Sequence, residues 1–272
     1  MRLSRRLSYE IKARTYVILR GGLGNQLHQI AAGVKSSERR GGKVVIYPRI
    51  VDTANNLDRR GFFREIELNR LFPKANIRET NRFENAILRL LNLTDFRYIS
   101  RRLISEENFF NPPKRSFCLL KSWFQSFEYV PSQINFLSLS GAENLGATQI
   151  TIHIRLTDFS DIDLDPLGQV YYYNALSLLH QTTIESPLRC FSDDIKKARV
   201  LLPKDFEYEF PETYETLSAS KLLNKLSTSS ILICSKSSLC WWAANAVSAK
   251  GGVVISPWTG STHKAEWLTV NV

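Results

Sequence analysis

The chain is 272 residues long with 43% apolar and 11% aromatic residues, enough to bury one large core or two smaller ones, and this excludes a disordered or low-complexity protein. No uncharged apolar run reaches the roughly 18 residues of a membrane span, and Met1-Arg2-Leu3-Ser4-Arg5-Arg6 leads into no apolar signal core, so a cytoplasmic protein is expected. The formal charge of +10 is uneven: residues 1–115 hold 24 Lys/Arg against 11 Asp/Glu, and residues 116–272 hold 12 against 15. That surplus fits a solvated basic face or peripheral contact with an anionic membrane on its inner side. Arg39-Arg40, Arg59-Arg60 and Arg101-Arg102 are scattered and accompany no nucleic-acid motif, so no nucleic-acid partner is expected. Cys118, Cys190, Cys234 and Cys240 lie in or beside apolar runs without paired short spacing, which argues against a disulfide framework and a zinc site.

In chain order, an apolar strand, Tyr16–Leu19, runs into the turn Arg20-Gly21-Gly22-Leu23-Gly24-Asn25-Gln26 and a helix reaching about Glu38. Gly41-Gly42 ends that helix, and strand Lys43–Tyr47 completes a βαβ opening. Helical stretches are expected near Phe62–Leu71 and Asn81–Leu91, and a strand at Phe117–Leu120. The polar stretch Pro131–Thr148 divides the chain into domains 1–140 and 141–272. The second half alternates strand Gln149–Ile154, helix Tyr171–His180, strand Leu188–Phe191, helices Asp194–Leu201 and Ser218–Leu226, strand Ile231–Cys234, helix Ser237–Ala246 and strand Val253–Ile255. Such alternation implies α/β domains with parallel sheets covered on both faces, whose ligands gather at the carboxyl ends of the strands.

Polar groups stand at those ends. His153 and Arg155 share one side of their strand, and arginine offers a rigid, permanently charged fork for phosphate oxygens. Asp193 and Asp194 follow the next strand, where one can cap a helix and the other can accept hydrogen bonds from a nucleoside. Ser237 and Ser238 open a helix as caps whose hydroxyls and N–H groups also suit phosphate. The glycine turn brings a helix start to an anion or a sugar in the same way. Trp241 and Trp242 fit packing within and between domains better than a sugar platform. Asp161, Asp163 and Asp165 read as a solvated acidic loop, since they do not directly end an apolar strand, and no metal site is assigned. Hydrolytic zinc, serine-triad and ATPase P-loop patterns are absent from the sequence.

Taken together, Gly21-Gly22-Leu23-Gly24-Asn25-Gln26, Trp123-Phe124-Gln125-Ser126, His153-Ile154-Arg155 with Asp158, Tyr172-Tyr173, Phe191-Ser192-Asp193-Asp194 and Trp241-Trp242 resemble, in order and spacing, the α-1,2-fucosyltransferases of glycosyltransferase family 11. The resemblance runs from about residue 15 to 258. It implies a GT-B architecture, two Rossmann-like domains facing a central cleft, and an inverting transfer of L-fucose from GDP-fucose to a galactose-type hydroxyl of a glycan or lipid-linked glycan precursor. Arg155 would grip the β-phosphate, and His153 with Asp193 or Asp194 would recognise the nucleoside. Ser237 and Ser238, with Lys236, would hold the diphosphate. Gly22, Gly24 and Gln26 would line the donor side of the turn, and Asn25 would reach the reacting sugar. Asp158 is the candidate base and the candidate partner that orients Arg155. No cofactor beyond the donor is implied, since Arg155 and helix N-termini supply the positive charge without a metal.

Three positions depart from the resemblance: Leu156 replaces a second arginine, Lys236 an asparagine and Cys240 a serine. Lys236 can restore the missing charge. The departures also leave room for another GDP-deoxyhexose as donor, or for a GDP-sugar binding protein without catalysis.

Overall fold

The computed structural model describes residues 13–47, 62–93, 102–114, 116–140, 149–156, 167–179, 187–211 and 217–270. Asp158 and the acidic run 161–165 lie outside them. Two all-parallel sheets organise the chain. The first has the order β3-β2-β1-β5-β4, built from β1 (Arg14–Ile18), β2 (Lys43–Tyr47), β3 (Ile77–Glu79), β4 (Leu103–Ile104) and β5 (Phe117–Leu120). The second has the order β11-β10-β9-β6-β7-β8, built from β6 (Ile150–Ile154), β7 (Leu188–Ser192), β8 (Tyr208–Glu209), β9 (Ile231–Ile233), β10 (Val253–Ser256) and β11 (Leu268–Thr269). Strand order reverses between β1 and β5 in one sheet and between β6 and β9 in the other. These reversals open crevices at the carboxyl ends of the flanking strands.

The strands are apolar on both faces because helices cover both. In β1, Val17 points into one core while Tyr16 and Ile18 point into another, as the two-residue period of a strand requires. The outer face of the first sheet carries α3 (Arg82–Leu93), whose Glu84 accepts hydrogen bonds from Tyr16 Oη at 2.8 Å and from Arg78 at 2.6 and 2.7 Å. That bidentate guanidinium contact holds the Glu84 carboxyl down at about 2. The outer face of the second sheet packs on α4 (Gln169–Ser177) and α5 (Ile195–Leu201).

Between the sheets lies a shared helical layer of α1 (Leu23–Arg40), α6 (Ala219–Ser227) and α7 (Ser238–Ala249). One continuous core takes Val17, Val44 and Ile46 from the first sheet, Leu232 and Val254 from the second, and Trp241 and Trp242 from α7. The expected polar divider at 131–148 contributes to this core over its described part: Leu139 is buried, and Phe136 packs 5.7 Å from the Trp242 ring. Phe62–Leu71, expected as one helix, is a 3₁₀ turn (Phe62–Glu65) followed by a short helix, α2 (Leu68–Leu71). Strands β3, β4, β8 and β11, of two or three residues, have too few positions for an alternating pattern to show in the sequence.

Among the described residues no helix is long and apolar enough to cross a membrane. All four cysteines are buried free thiols.

Candidate functional site

At the β6/β9 reversal, β6 ends in Ile154 and the chain presents Arg155. The side chain is 15% exposed, and its Nε lies 3.3 Å from Asp193 Oδ2 at the end of β7. Asp193, 2% exposed, accepts a second hydrogen bond from the Leu156 backbone N–H at 2.9 Å. One carboxylate therefore fixes both the guanidinium and the backbone beyond it, and a buried carboxylate needs such partners. Asp194 has a different task. It caps α5, accepting from the Lys197 N–H at 3.0 Å, with Lys197 Nζ 3.3 Å away, and these contacts lower its pKa.

Beside Arg155, β9 continues into Cys234-Ser235-Lys236-Ser237 and the start of α7. Ser237 occupies the N-cap position without a side-chain capping bond, and the first turn holds no acidic residue. The helix dipole and the hydroxyls of Ser237 and Ser238 thus stand together at the strand end with exposed Lys236. His153 sits below this loop, 2% exposed, its Nδ1 2.8 Å from the buried Ser235 hydroxyl. Ser235 O in turn accepts from the Ser237 N–H at 2.8 Å, so His153 supports the loop from beneath. Tyr171, fully buried on α4, donates from its hydroxyl to Cys234 O at 2.7 Å, and burial pushes its pKa up. Sequence reasoning missed Tyr171: the signal it followed was the neighbouring pair Tyr172-Tyr173.

At the β1/β5 reversal the glycine turn folds over the strand ends. Gly21 has φ of +66°, and a Cβ there would meet Asn25 Nδ2 at 2.7 Å and Trp123 Cζ3 at 3.1 Å, so only glycine fits. Gly22 is the exposed N-cap of α1 and forms no side-chain capping bond. Gln26 is fully buried and donates from Nε2 to Gly21 O at 2.9 Å, while Gln29, another residue the sequence reading passed over, brackets Arg20 by accepting from its N–H at 2.8 Å. Asn25 is half-buried and accepts from Gln125 Nε2 at 2.6 Å.

The two reversals meet through their helices. A Cβ on Gly24 would lie 2.3 Å from Leu239 N and 2.5 Å from Ser238 C, so the first turn of α1 lies directly on the first turn of α7. Trp242 Nε1 donates to Gly24 O at 3.1 Å, and the His28 ring lies 4.6 and 5.2 Å from the Trp241 and Trp242 rings. Two helix starts, neither with a capping side chain nor an acidic residue in its first turn, therefore lie against each other. Burial lowers the His28 pKa to about 3, so the imidazole is neutral. Gly24 packs on the start of α7, Gln26 closes the glycine turn and Asp194 caps α5. Arg155, Asp193, His153 and the Ser235–Ser238 loop cluster at one strand end, with Asn25 at the other.

Among the described residues no group of three or more His, Cys, Asp or Glu side chains comes together as a metal cage. A separate cavity of about 490 Å³ between Glu67 and Arg70 on one side and Lys221 and Asn224 on the other is lined by none of the candidate site residues.

No protein-family model matches this sequence, and no curated protein is similar to it in sequence. Solved structures share its fold. The crystal structure of the fucosyltransferase NodZ from Bradyrhizobium superposes with a TM-score of 0.50 at 14% identity, covering 86% of this chain and 92% of that one. NodZ α-1,6-fucosyltransferase co-crystallised with GDP gives 0.51 at 13% identity over 85% and 91%. POFUT1 in complex with GDP gives 0.51 at 10% over 86% and 94%. At such identities the likeness establishes the fold. It is GT-B, two Rossmann-like parallel-sheet units.

Proposed function

We propose that this protein is a glycosyltransferase that moves L-fucose from GDP-fucose to a galactose-type hydroxyl. The observation that carries this reading is Arg155, fixed by Asp193 at the β6/β9 reversal beside the uncapped start of α7. A guanidinium, a helix dipole and two hydroxyls at one strand end form a receptor for a diphosphate. NodZ and POFUT1, which share the fold, have been crystallised with GDP, and NodZ has been soaked with GDP-fucose.

In the reaction the acceptor oxygen forms a bond to fucose C1 on the face opposite GDP, and the bond from C1 to the β-phosphate oxygen breaks. Its electron pair leaves with GDP, and the acceptor proton passes to a base or to water. Arg155 and the α7 start stabilise the charge that develops on the leaving phosphate, and this electrostatic contribution amounts to several kcal/mol in such sites. No step requires a metal. The α-1,2 linkage follows from the motif resemblance, and product NMR separates it from the α-1,6 linkage named for NodZ. The basic surplus of residues 1–115 suits a lipid-linked acceptor at an anionic membrane surface, where each basic residue contributes about 1 kcal/mol. Salt-independent binding to anionic vesicles overturns that part.

The test is calorimetric titration with GDP and GDP-fucose in metal-free buffer, repeated on Arg155→Ala and on Arg155→Ala with Asp193→Asn. The double variant leaves no buried carboxylate without its cation. Binding that disappears in both variants supports the donor site, and binding that persists in both overturns it. Leu156, in place of a second arginine, favours one alternative, a GDP-sugar binding protein without turnover. Tight donor binding with no transfer to any galactoside decides for it, whereas preference for another GDP-deoxyhexose changes the donor and keeps the chemistry.

A further inference from the structure

Trp123 follows β5 at the β1/β5 reversal, and it is 40% exposed. The four other tryptophans are buried or half-buried. A structural lid over the glycine turn would be buried too. This indole has the Arg20 guanidinium 5.8 Å from its ring centroid and an edge against Gly21, yet keeps a large part of its surface open.

The backbone is built to hold it there. Phe124 has φ of +55°, the sole positive φ of a non-glycine among the described residues, and a bulky side chain adopts that conformation only when its surroundings enforce it. The enforcement is visible. Phe124 is fully buried against Phe109 and Tyr129, and Glu106 Oε1 accepts from the Phe124 N–H at 2.6 Å and from Ser122 Oγ at 2.9 Å. Residue 124 is turned inward so that residue 123 faces outward.

Next to the indole stand the amides of Asn25 and Gln125, joined by one 2.6 Å hydrogen bond. That bond uses one acceptor of the first and one donor of the second, and leaves the Asn25 amine and the Gln125 carbonyl as an adjacent donor and acceptor. A flat apolar ring with a cation at one side and an uncharged donor–acceptor pair beside it suits a pyranose. Its C–H face stacks on the indole while neighbouring hydroxyls meet the amides.

We propose that Trp123, with Asn25 and Gln125, is the platform that binds the acceptor sugar, a galactose-type pyranose whose axial hydroxyl leaves one continuous apolar face for the indole. Its description as the acceptor site rests on the glycosyltransferase reading above, but sugar binding at Trp123 does not.

The experiment is saturation-transfer NMR of methyl β-D-galactopyranoside with the protein, with and without GDP, on the native chain, Trp123→Ala, Trp123→Phe and Gln125→Ala. GDP calorimetry and a thermal melt accompany each variant. In the native chain saturation is expected on H3, H4 and H5. It is lost in Trp123→Ala, kept in Trp123→Phe, and reduced in Gln125→Ala, with GDP affinity unchanged. In turnover, Trp123→Ala raises the KM for a galactoside acceptor by about tenfold and leaves that for GDP-fucose in place. No saturation in the native chain under either condition overturns the platform, as does saturation that persists in a folded Trp123→Ala protein. Galactoside binding without GDP binding overturns the donor reading alone, and GDP binding without galactoside binding overturns the platform alone.

Discussion

At the reversal between β6 and β9 the strand ends offer a guanidinium, an ammonium and two serine hydroxyls over a helix start, whereas at the reversal between β1 and β5 they offer two amides and an indole with the Arg20 guanidinium against its ring. Both crevices come from the same topology, a parallel sheet whose order reverses beside its first strand. Strand order decides where a ligand can sit, and the side chains at the strand ends decide what it is. The first half carries the basic surplus of the whole chain, yet at its strand ends the uncharged Asn25, Gln125 and Trp123 stand beside one cation, Arg20, so net charge alone does not set the chemistry of a site.

The sharpest way to break this division is to remove the charge from one side. Replacing Arg155 with Ala, in the Asp193→Asn background, is expected to lower kcat by about 10²–10³, the usual cost of losing one donor to a developing oxyanion, with acceptor KM unchanged. Steady-state kinetics with each substrate varied in turn checks it. If acceptor KM moves as far as donor KM, the two crevices do not divide the substrates.

The junction between them gives the next largest effect. Gly24→Ala drives a Cβ to 2.3 Å from the Leu239 backbone nitrogen, and backbone cannot swing aside as a side chain does. A stability loss of about 1–3 kcal/mol is expected from overpacking of this kind, read by urea unfolding, with weaker GDP binding because the α7 start must shift. A neutral substitution would mean that the helix starts are not held together by that contact.

Gly24 also marks the limit of what the sequence could say. The strand-turn-helix was legible from Tyr16-Val17-Ile18-Leu19 and the glycines, and a ligand role was the natural expectation for each glycine. Its structural role depends on Trp242, 218 residues away, which no local pattern connects to it. Strands β2 and β5 match their expected bounds because apolar runs ended by Gly or a polar turn have a period to detect. Asp158, the expected partner of Arg155, lies outside the described residues. Among the described residues Arg155 pairs with Asp193, on a neighbouring strand, which the parallel register of β6 and β7 brings alongside and no local pattern reveals. Trp241 and Trp242, expected to pack within and between domains, are both buried.

Protonation tests the junction more gently. Buried His28 has a folded pKa of about 3 against about 6.5 when unfolded, so the unfolded chain takes up the proton first. Its contribution to stability is complete above pH 6.5 and is lost as pH falls from 6.5 towards 3, at up to about 1.4 kcal/mol per pH unit. Glu84, held at about 2, loses its contribution only below its ordinary value of 4.5. Between pH 6.5 and 4.5 chemical denaturation is expected to show a slope to which His28 contributes and which His28→Leu flattens. A slope unchanged in that variant would place the proton uptake elsewhere.

The smallest expected effect bears on the boundary of the charged crevice itself. Asp193 and Asp194 are adjacent, and either could have faced a nucleoside. Asp194 instead closes the first turn of α5 through the Lys197 N–H, with its own N–H held by Ser192 Oγ at 3.1 Å, so its carboxylate already has the partner that a helix start requires. Asp194→Ala is expected to lower Tm by a few degrees, as loss of a cap does, and to leave GDP affinity within about twofold. Because the carboxylate is ionised down to lower pH than an ordinary aspartate, that difference in Tm persists at pH 5 and narrows only in more acidic buffer, as both chains come to lack the charge. A loss of GDP affinity of about tenfold with an unchanged melt would return Asp194 to the nucleoside and extend the charged crevice one strand further, towards β8.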